Sequence, residues 1–130
     1  MDSPRDLSLL ALRPQISVAE FADQSRVELF QNNTLRPILK FQNELLISRF
    51  LNDLLTLKAA YPKMDVKSQR SYVDQRLKTD KKLQKELIGI CTGLMTIAEY
   101  DDYWEQKSEL NKRIVTMLAE RIYSQTATIS

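Results

Sequence analysis

The side chains best suited to chemistry lie within or beside the apolar stripes of two predicted helices. They are two arginines and three amides: Arg36, Gln42, Asn43, Asn111 and Arg113. Because a buried amide needs hydrogen-bond partners, one interpretation is a satisfied polar network that fixes the register of the helices. A second interpretation is a small polar pocket, in which Arg36 and Arg113 bind an anionic ligand.

A basic segment covers residues 63–86, with eight lysines or arginines against four acids. Its candidates for phosphate contact are Lys67, Arg70, Lys78, Lys81, Lys82 and Lys85. Such residues along a helix pair suit a nucleic-acid backbone, but no aromatic residues interleave with the lysines and no recognition-helix pattern stands out. A solvated helix face accounts for the same charges, and contact with an acidic protein patch is as easy to argue.

Residues 99–109 carry five acids and one lysine. A divalent-metal site is one interpretation, because Asp101 and Glu105 share a helical face and hard cations take carboxylate ligands. The same group includes Glu99 and Asp102. An acidic turn on a solvated helix is far commoner, so the sequence predicts neither a metal nor a cofactor.

The chain contains no histidine and one cysteine. Catalytic triads that use histidine, histidine ligands for zinc and the histidines of di-iron bundles are therefore excluded. Cys91 falls on the inward face of a predicted helix, which indicates a buried apolar side chain rather than a nucleophile. Glycine-rich phosphate-binding motifs and the nucleophile elbow are missing as well. No catalytic residue is predicted.

The element that must position the polar groups is residues 34–61, the longest apolar-rich stretch, which we predict to be one long central helix. One helical stripe consists of Leu39, Asn43, Leu46, Phe50, Leu54 and Leu57, and a second of Ile38, Phe41, Leu45, Leu51 and Leu55. The two stripes together span a wider apolar arc than the roughly 100° that a one-sided amphipathic helix has. Such a helix is either central in a bundle or shared with a second chain. Thr34 is its expected N-cap and Pro62 marks its end.

Capping signals predict the remaining helices. A helix near residues 18–32 begins at Ser17 or Ser25, and Asp65 caps one over 66–78. Thr79 caps a fourth, whose Gly89 and Gly93 indicate close approach to the long helix. Thr96 opens a last helix over 97–124 with Ile97, Tyr100 and Trp104 on its inner stripe and a bend near 105–109.

These elements give an all-α fold, a four- to five-helix bundle with one long central helix. We expect a flexible N-terminal arm over 1–16, with at most a helical turn at 7–12, a single domain over 17–125 and a frayed tail over 126–130. Two glycines and four prolines in 130 residues argue against an all-β fold. One cysteine, no apolar run of about 18 residues and no signal-peptide pattern favour the cytoplasm and no membrane span.

Two blocks resemble a known family: FQNNTLRPILKFQNELL, from Phe30 to Leu46, and ELNKRI, from Glu109 to Ile114. The family consists of short all-helical proteins of environmental bacteria, of uncharacterised function, and the resemblance covers most of residues 25–125. Some members carry a glyoxalase label, which would imply a metal held by histidine and glutamate in a βαβββ fold. Without histidine or a strand pattern this chain contradicts the label. The resemblance implies a helical fold and supplies no site residues.

The first functional hypothesis is a non-enzymatic helical module that forms a homodimer and acts by contact with a protein partner that the sequence does not identify. Its basis is the second apolar stripe of the long helix, because an exposed apolar stripe of this size needs a partner surface that buries it. The alternative is a small-ligand or nucleic-acid binding protein that uses the polar residues between helices or the basic segment. An enzyme built on the acidic turn ranks third.

Overall fold

The structure, a computed structural model, describes residues 3–15 and 23–127. The chain there is helical and contains no strand, which confirms the all-α class. The α-helices are α1 Pro4–Leu12, α2 Arg26–Phe30, α3 Arg36–Phe41, α4 Asn43–Thr56, α5 Val66–Thr79, α6 Lys81–Thr92, α7 Ile97–Glu105 and α8 Lys107–Thr126. A π turn, Gln31–Leu35, joins α2 to α3, and a 3-10 turn, Tyr61–Lys63, follows α4.

The helix that begins after Ser25 runs through the π turn as far as Phe41. Ser25 caps it as predicted, because its side chain accepts a hydrogen bond from the backbone N–H of Glu28. The helix widens just before Pro37, whose ring would otherwise clash with the carbonyl four residues earlier. Thr34 is therefore not an N-cap. It lies inside the π turn, and the alternative start at Ser17 falls outside the described residues.

The long helix predicted over residues 34–61 is interrupted at Gln42, where φ is −88° and ψ is 4°. It also ends earlier than expected, at Thr56. The chain turns there because Lys58 adopts a left-handed φ of 52°, while the N–H groups of Lys58 and Ala59 bond to the carbonyls of Leu55 and Leu54. This is a Schellman ending. A lysine usually disfavours it, so the sequence carried no signal for it.

Local capping determines the starts of α5, α6 and α7. The side chain of Asp65 accepts from the N–H of Ser68, and Thr96 and Glu99 form a complete capping box, both as predicted. The prediction that Thr79 caps the fourth helix is wrong by one residue, since Asp80 accepts from the N–H groups of Lys82 and Leu83. The predicted last helix breaks at Gln106, within the region expected to bend.

The core lies where α8 packs against α4, α5, α6 and α7. Fully buried side chains from each side meet there, among them Leu46, Phe50, Val73, Leu87, Leu110 and Ile114. The predicted close approach at the two glycines is wrong. A Cβ at Gly89 would meet no atom within 4 Å, and one at Gly93 would meet the carbonyl of Gly89 in its own helix.

Helix α1 is held against the loop between α6 and α7. Arg5 donates to the carbonyls of Met95 and Gly93 at 2.9 and 3.0 Å, and buried Asp6 accepts from the N–H of Ile97. Arg13 donates to both carboxylate oxygens of Glu99 at 2.5 and 2.9 Å. The helix is longer than the turn expected at 7–12. The flexibility of residues 1–16, and the domain limits at 17–125 and 126–130, stay predictions.

The attachment of α1 should depend on pH through Glu99. Burial alone raises the pKa of this carboxyl, but hydrogen bonds from Arg13 and the N–H of Thr96 outweigh it, so the pKa lies below the ordinary 4.5. A lowered folded pKa contributes stability that is present above the unfolded value and lost as pH falls through the folded one. We expect NMR signals of α1 to shift toward coil positions as the pH falls below about 4.5.

Arg13→Gln should produce the same shift at neutral pH, because it removes the partner of Glu99. Arg26→Gln is the matched control, since Arg26 pairs with acids at the far end of α7. If α1 keeps its helical shifts in Arg13→Gln, the ion pair does not hold the helix.

Candidate functional site

Three of the five singled-out polar residues, Gln42, Asn111 and Asn43, hold helices together. Gln42 donates to the carbonyl of Ile90 at 3.1 Å, which ties the break between α3 and α4 to α6. Asn111 accepts from the hydroxyl of Tyr103 at 2.5 Å, which ties α8 to α7 across the break at Gln106. These contacts fit the polar-network interpretation.

Asn43 joins the start of α4 to the end of α8. Its amide and that of Gln125 donate to each other, both at 2.7 Å. The Asn43 oxygen also accepts from Arg121 Nη1 at 3.0 Å. The amide pair therefore fixes one edge of the Arg121 guanidinium. The other N–H groups of the guanidinium make no hydrogen bond to this pair.

The two arginines proposed as an anion-binding pair line separate, adjoining depressions. Arg113 donates to Gln31 at 2.9 Å and lies 3.6 Å from a carboxylate oxygen of Glu109, so its charge is partly balanced. Arg36 donates to Asn32, one turn earlier, at 2.8 Å. The structure does not bring Arg36 and Arg113 into one pocket.

Arg36 instead shares an open groove of about 530 Å³ with Arg121. Burial lowers the pKa of Arg121, and the nearby positive charge of Arg36 lowers it further. The rest of the groove is lined by Leu39, Thr116, Met117, Glu120, Ser124 and Gln125. Sequence reasoning missed Arg121; its only signal was a position about two helical turns after Arg113.

The six candidates of the basic segment differ in their surroundings. Arg70 pairs with Glu120 and lies 5.1 Å from the ring centre of Tyr123, so its charge is engaged. Lys78 and Lys81 line a depression of about 300 Å³ together with Asn111 and Lys112. The remaining candidates are exposed: Lys67, Lys82 and Lys85.

The acidic turn is divided between two arginines. Glu99 faces Arg13, as described above, whereas Asp102 and Glu105 accept from Arg26 at 2.8 and 2.7 Å. No three potential metal ligands converge in residues 3–15 and 23–127.

Cys91 is fully buried, and burial raises the pKa of its thiol to about 12. The nucleophilic thiolate is therefore very rare at neutral pH. This environment suits a side chain that fills the core.

Large apolar side chains remain exposed on several helices, and two sets of them are considered as interaction surfaces. On α4 and just before it they are Phe41, Leu45, Leu51 and Leu55, with exposed fractions of 44, 51, 44 and 75%. On α7 they are Ile97, Tyr100 and Trp104. The prediction that these α7 residues face inward is wrong, because Tyr103 occupies the buried position. We call the first set the α4 stripe and the second the α7 patch.

No described helix is both long and apolar enough to cross a bilayer. The chain matches no family model, no curated protein and no solved structure. The resemblance to small helical bacterial proteins therefore stays a prediction, and any assignment of function rests on the grooves and exposed faces of this chain.

Proposed function

We propose that this chain is a non-enzymatic helical module that forms a homodimer through the α4 stripe and acts by protein–protein contact. The observation that carries the proposal is the exposure of this stripe along one face of a helix whose other face is buried. A row of large exposed apolar side chains on one helical face is typical of an interaction site. Ile38, the first residue of the predicted stripe, is buried and belongs to the core.

The order of residues along the stripe suits a second copy of the same chain. A twofold axis through Ser48, with the two α4 helices antiparallel, places Phe41 opposite Leu55 of the second copy and Leu45 opposite Leu51. An interface across a twofold axis requires this self-complementarity, because each contact occurs twice. Ser48 is small and exposed, so it permits a close crossing of the helices at the axis.

The apolar surface continues beyond α4. Phe41 adjoins Leu9 and Leu12 of α1, and Leu12 is itself exposed. Helix α4 alone, about 20 Å long, offers less than the roughly 800 Å² per partner of a standard interface. The α1 residues therefore extend the contact, and we expect dissociation in the micromolar range.

The proposal also includes the finer architecture. We propose that α4, α5, α6 and α8 form a four-helix bundle and that the continuous α2–α3 segment packs as a fifth helix. In this arrangement α3 and α4, which are separated by the break at Gln42, replace the single long central helix. A cytoplasmic location and a bacterial origin are further parts of the proposal, supported by the single unpaired cysteine and by the two sequence blocks.

Sedimentation velocity over about 1–500 µM protein tests the dimer. The wild type should change from monomer to dimer across this range. Leu45→Glu should remain monomeric throughout, because it places a carboxylate in the apolar contact. Ile97→Glu is the matched control. It puts the same charge at a similarly exposed position in the α7 patch, and should dimerise like the wild type.

A mixture of two variants tests the register. Leu45→Glu and Leu51→Lys should each be monomeric, but mixed in equal amounts they should form a heterodimer. In that heterodimer one of the two symmetric contacts pairs the introduced glutamate with the introduced lysine. The other contact pairs the unchanged Leu51 of one variant with the unchanged Leu45 of the other. A wild type that is monomeric at every concentration would refute the dimer, and loss of dimer in Ile97→Glu alone would move the interface to the α7 patch.

A further inference from the structure

The groove between α3 and α8 brings two positive charges, Arg36 and Arg121, to one site. Arg36 and Arg121 line the same groove, and the positive charge of Arg36 lowers the pKa of Arg121. Within the described residues neither forms an ion pair, and the one acid of the groove, Glu120, is engaged by Arg70. Like charges in a partly buried site destabilise the fold unless an anion compensates them.

The geometry of the two side chains suits an incoming anion. Asn32 holds Arg36 by Nε, and Asn43 holds Arg121 by one Nη1–H. Each guanidinium therefore keeps N–H groups for a ligand while its orientation is fixed by an amide. Planar guanidinium groups bind carboxylates and phosphates through paired hydrogen bonds.

The other residues that line the groove indicate which kind of chemical group is attached to the anionic part of a ligand. Met117 contributes apolar surface, while Thr116, Ser124 and Gln125 add polar atoms to the wall of the groove. A volume of about 530 Å³ is within the range of small-ligand sites. This combination favours an organic anion with a short apolar part over a bare inorganic ion.

We propose that Arg36 and Arg121 form a binding site for a small organic phosphate or carboxylate with an apolar substituent. Asn43 and Gln125 position Arg121, and Met117 contacts the apolar part. The site shares no residue with the α4 stripe, so ligand binding and dimerisation can succeed or fail separately.

Calorimetric titration of the full chain with phenyl phosphate, phenylacetate and inorganic phosphate tests the site. Phenyl phosphate should bind more tightly than inorganic phosphate, because only the former uses the apolar surface. Comparison with phenylacetate shows whether the site prefers a phosphate or a carboxylate. Arg36→Gln and Arg121→Gln should each weaken phenyl phosphate binding by about tenfold to a hundredfold, the effect of losing charge-assisted hydrogen bonds.

Lys112→Gln is the matched control, since it removes one positive charge from α8 outside this groove. It should bind phenyl phosphate as the wild type does. Arg36 is exposed, so the fold should tolerate Arg36→Gln even if Arg121→Gln proves unstable.

Absence of phenyl phosphate binding at millimolar concentration would overturn the proposal. So would equal weakening in Lys112→Gln, which would indicate a diffuse electrostatic effect. A single-stranded oligonucleotide that binds more tightly than phenyl phosphate, with equal losses in Lys78→Gln and Arg36→Gln, would replace the small-ligand site with a nucleic-acid surface.

Discussion

Replacing Phe50 with alanine should lower the free energy of unfolding by about 4 kcal/mol, the largest effect we expect from one substitution. Phe50 is fully buried on the inner face of α4. Its ring meets that of Tyr61 edge to face, with centroids 5.9 Å apart. Tyr61 in turn lies 5.6 Å from the ring of Tyr72 and shares a 2.9 Å hydrogen bond with Thr126 at the end of α8. The cavity would therefore open where α4, α5 and α8 meet.

Urea unfolding at one fixed, low protein concentration measures this loss without a contribution from dimerisation. Phe50→Leu is the matched control: it keeps most of the apolar volume and should cost about 1.5 kcal/mol. Leu57→Ala provides a second comparison. Leu57 belongs to the same predicted stripe but is half exposed, so its loss should stay below about 1 kcal/mol. Equal losses for Phe50→Ala and Leu57→Ala would contradict this description of the core.

Replacing Arg76 with methionine should lower the free energy of unfolding by about 2–3 kcal/mol. Arg76 on α5 donates to both carboxylate oxygens of Asp53 on α4, at 3.0 and 2.9 Å. It also donates to Asp80, the cap of α6, at 2.8 Å. Asp53 is 7% exposed, so the variant leaves a buried carboxylate without its partner. Because the Arg76 side chain remains 19% exposed, we expect a loss that does not exceed the lower end of the range of about 3–5 kcal/mol for buried pairs.

A double-mutant cycle separates the ion pair from the packing. Asp53→Leu combined with Arg76→Met should recover much of the loss, because no charge then remains buried. Arg26→Met is the control on the surface: it removes two ion pairs whose members are all exposed, and should cause no measurable loss. If the double variant is less stable than either single one, the stabilisation comes from the arginine stem rather than from its charge.

The amino-acid sequence by itself determined the helical class and several helix starts. Asp65, Thr96 and Ser25 each cap a helix through a backbone N–H three residues later. A contact that short needs no knowledge of the rest of the fold. The second stripe of the long helix was likewise predicted from spacing, and its members from Phe41 to Leu55 are exposed.

Only the tertiary structure decided which groups meet across the chain. Arg121 and Asn43 are separated by 78 positions, and Arg76 and Asp53 by 23, so no local pattern joins them. Helix periodicity also leaves open which of two neighbouring stripes is buried, and on α7 Tyr103 rather than Trp104 faces the core. The break at Gln42 has no glycine or proline to mark it. Such outcomes depend on packing against distant helices, which the spacing of residues along one helix does not contain.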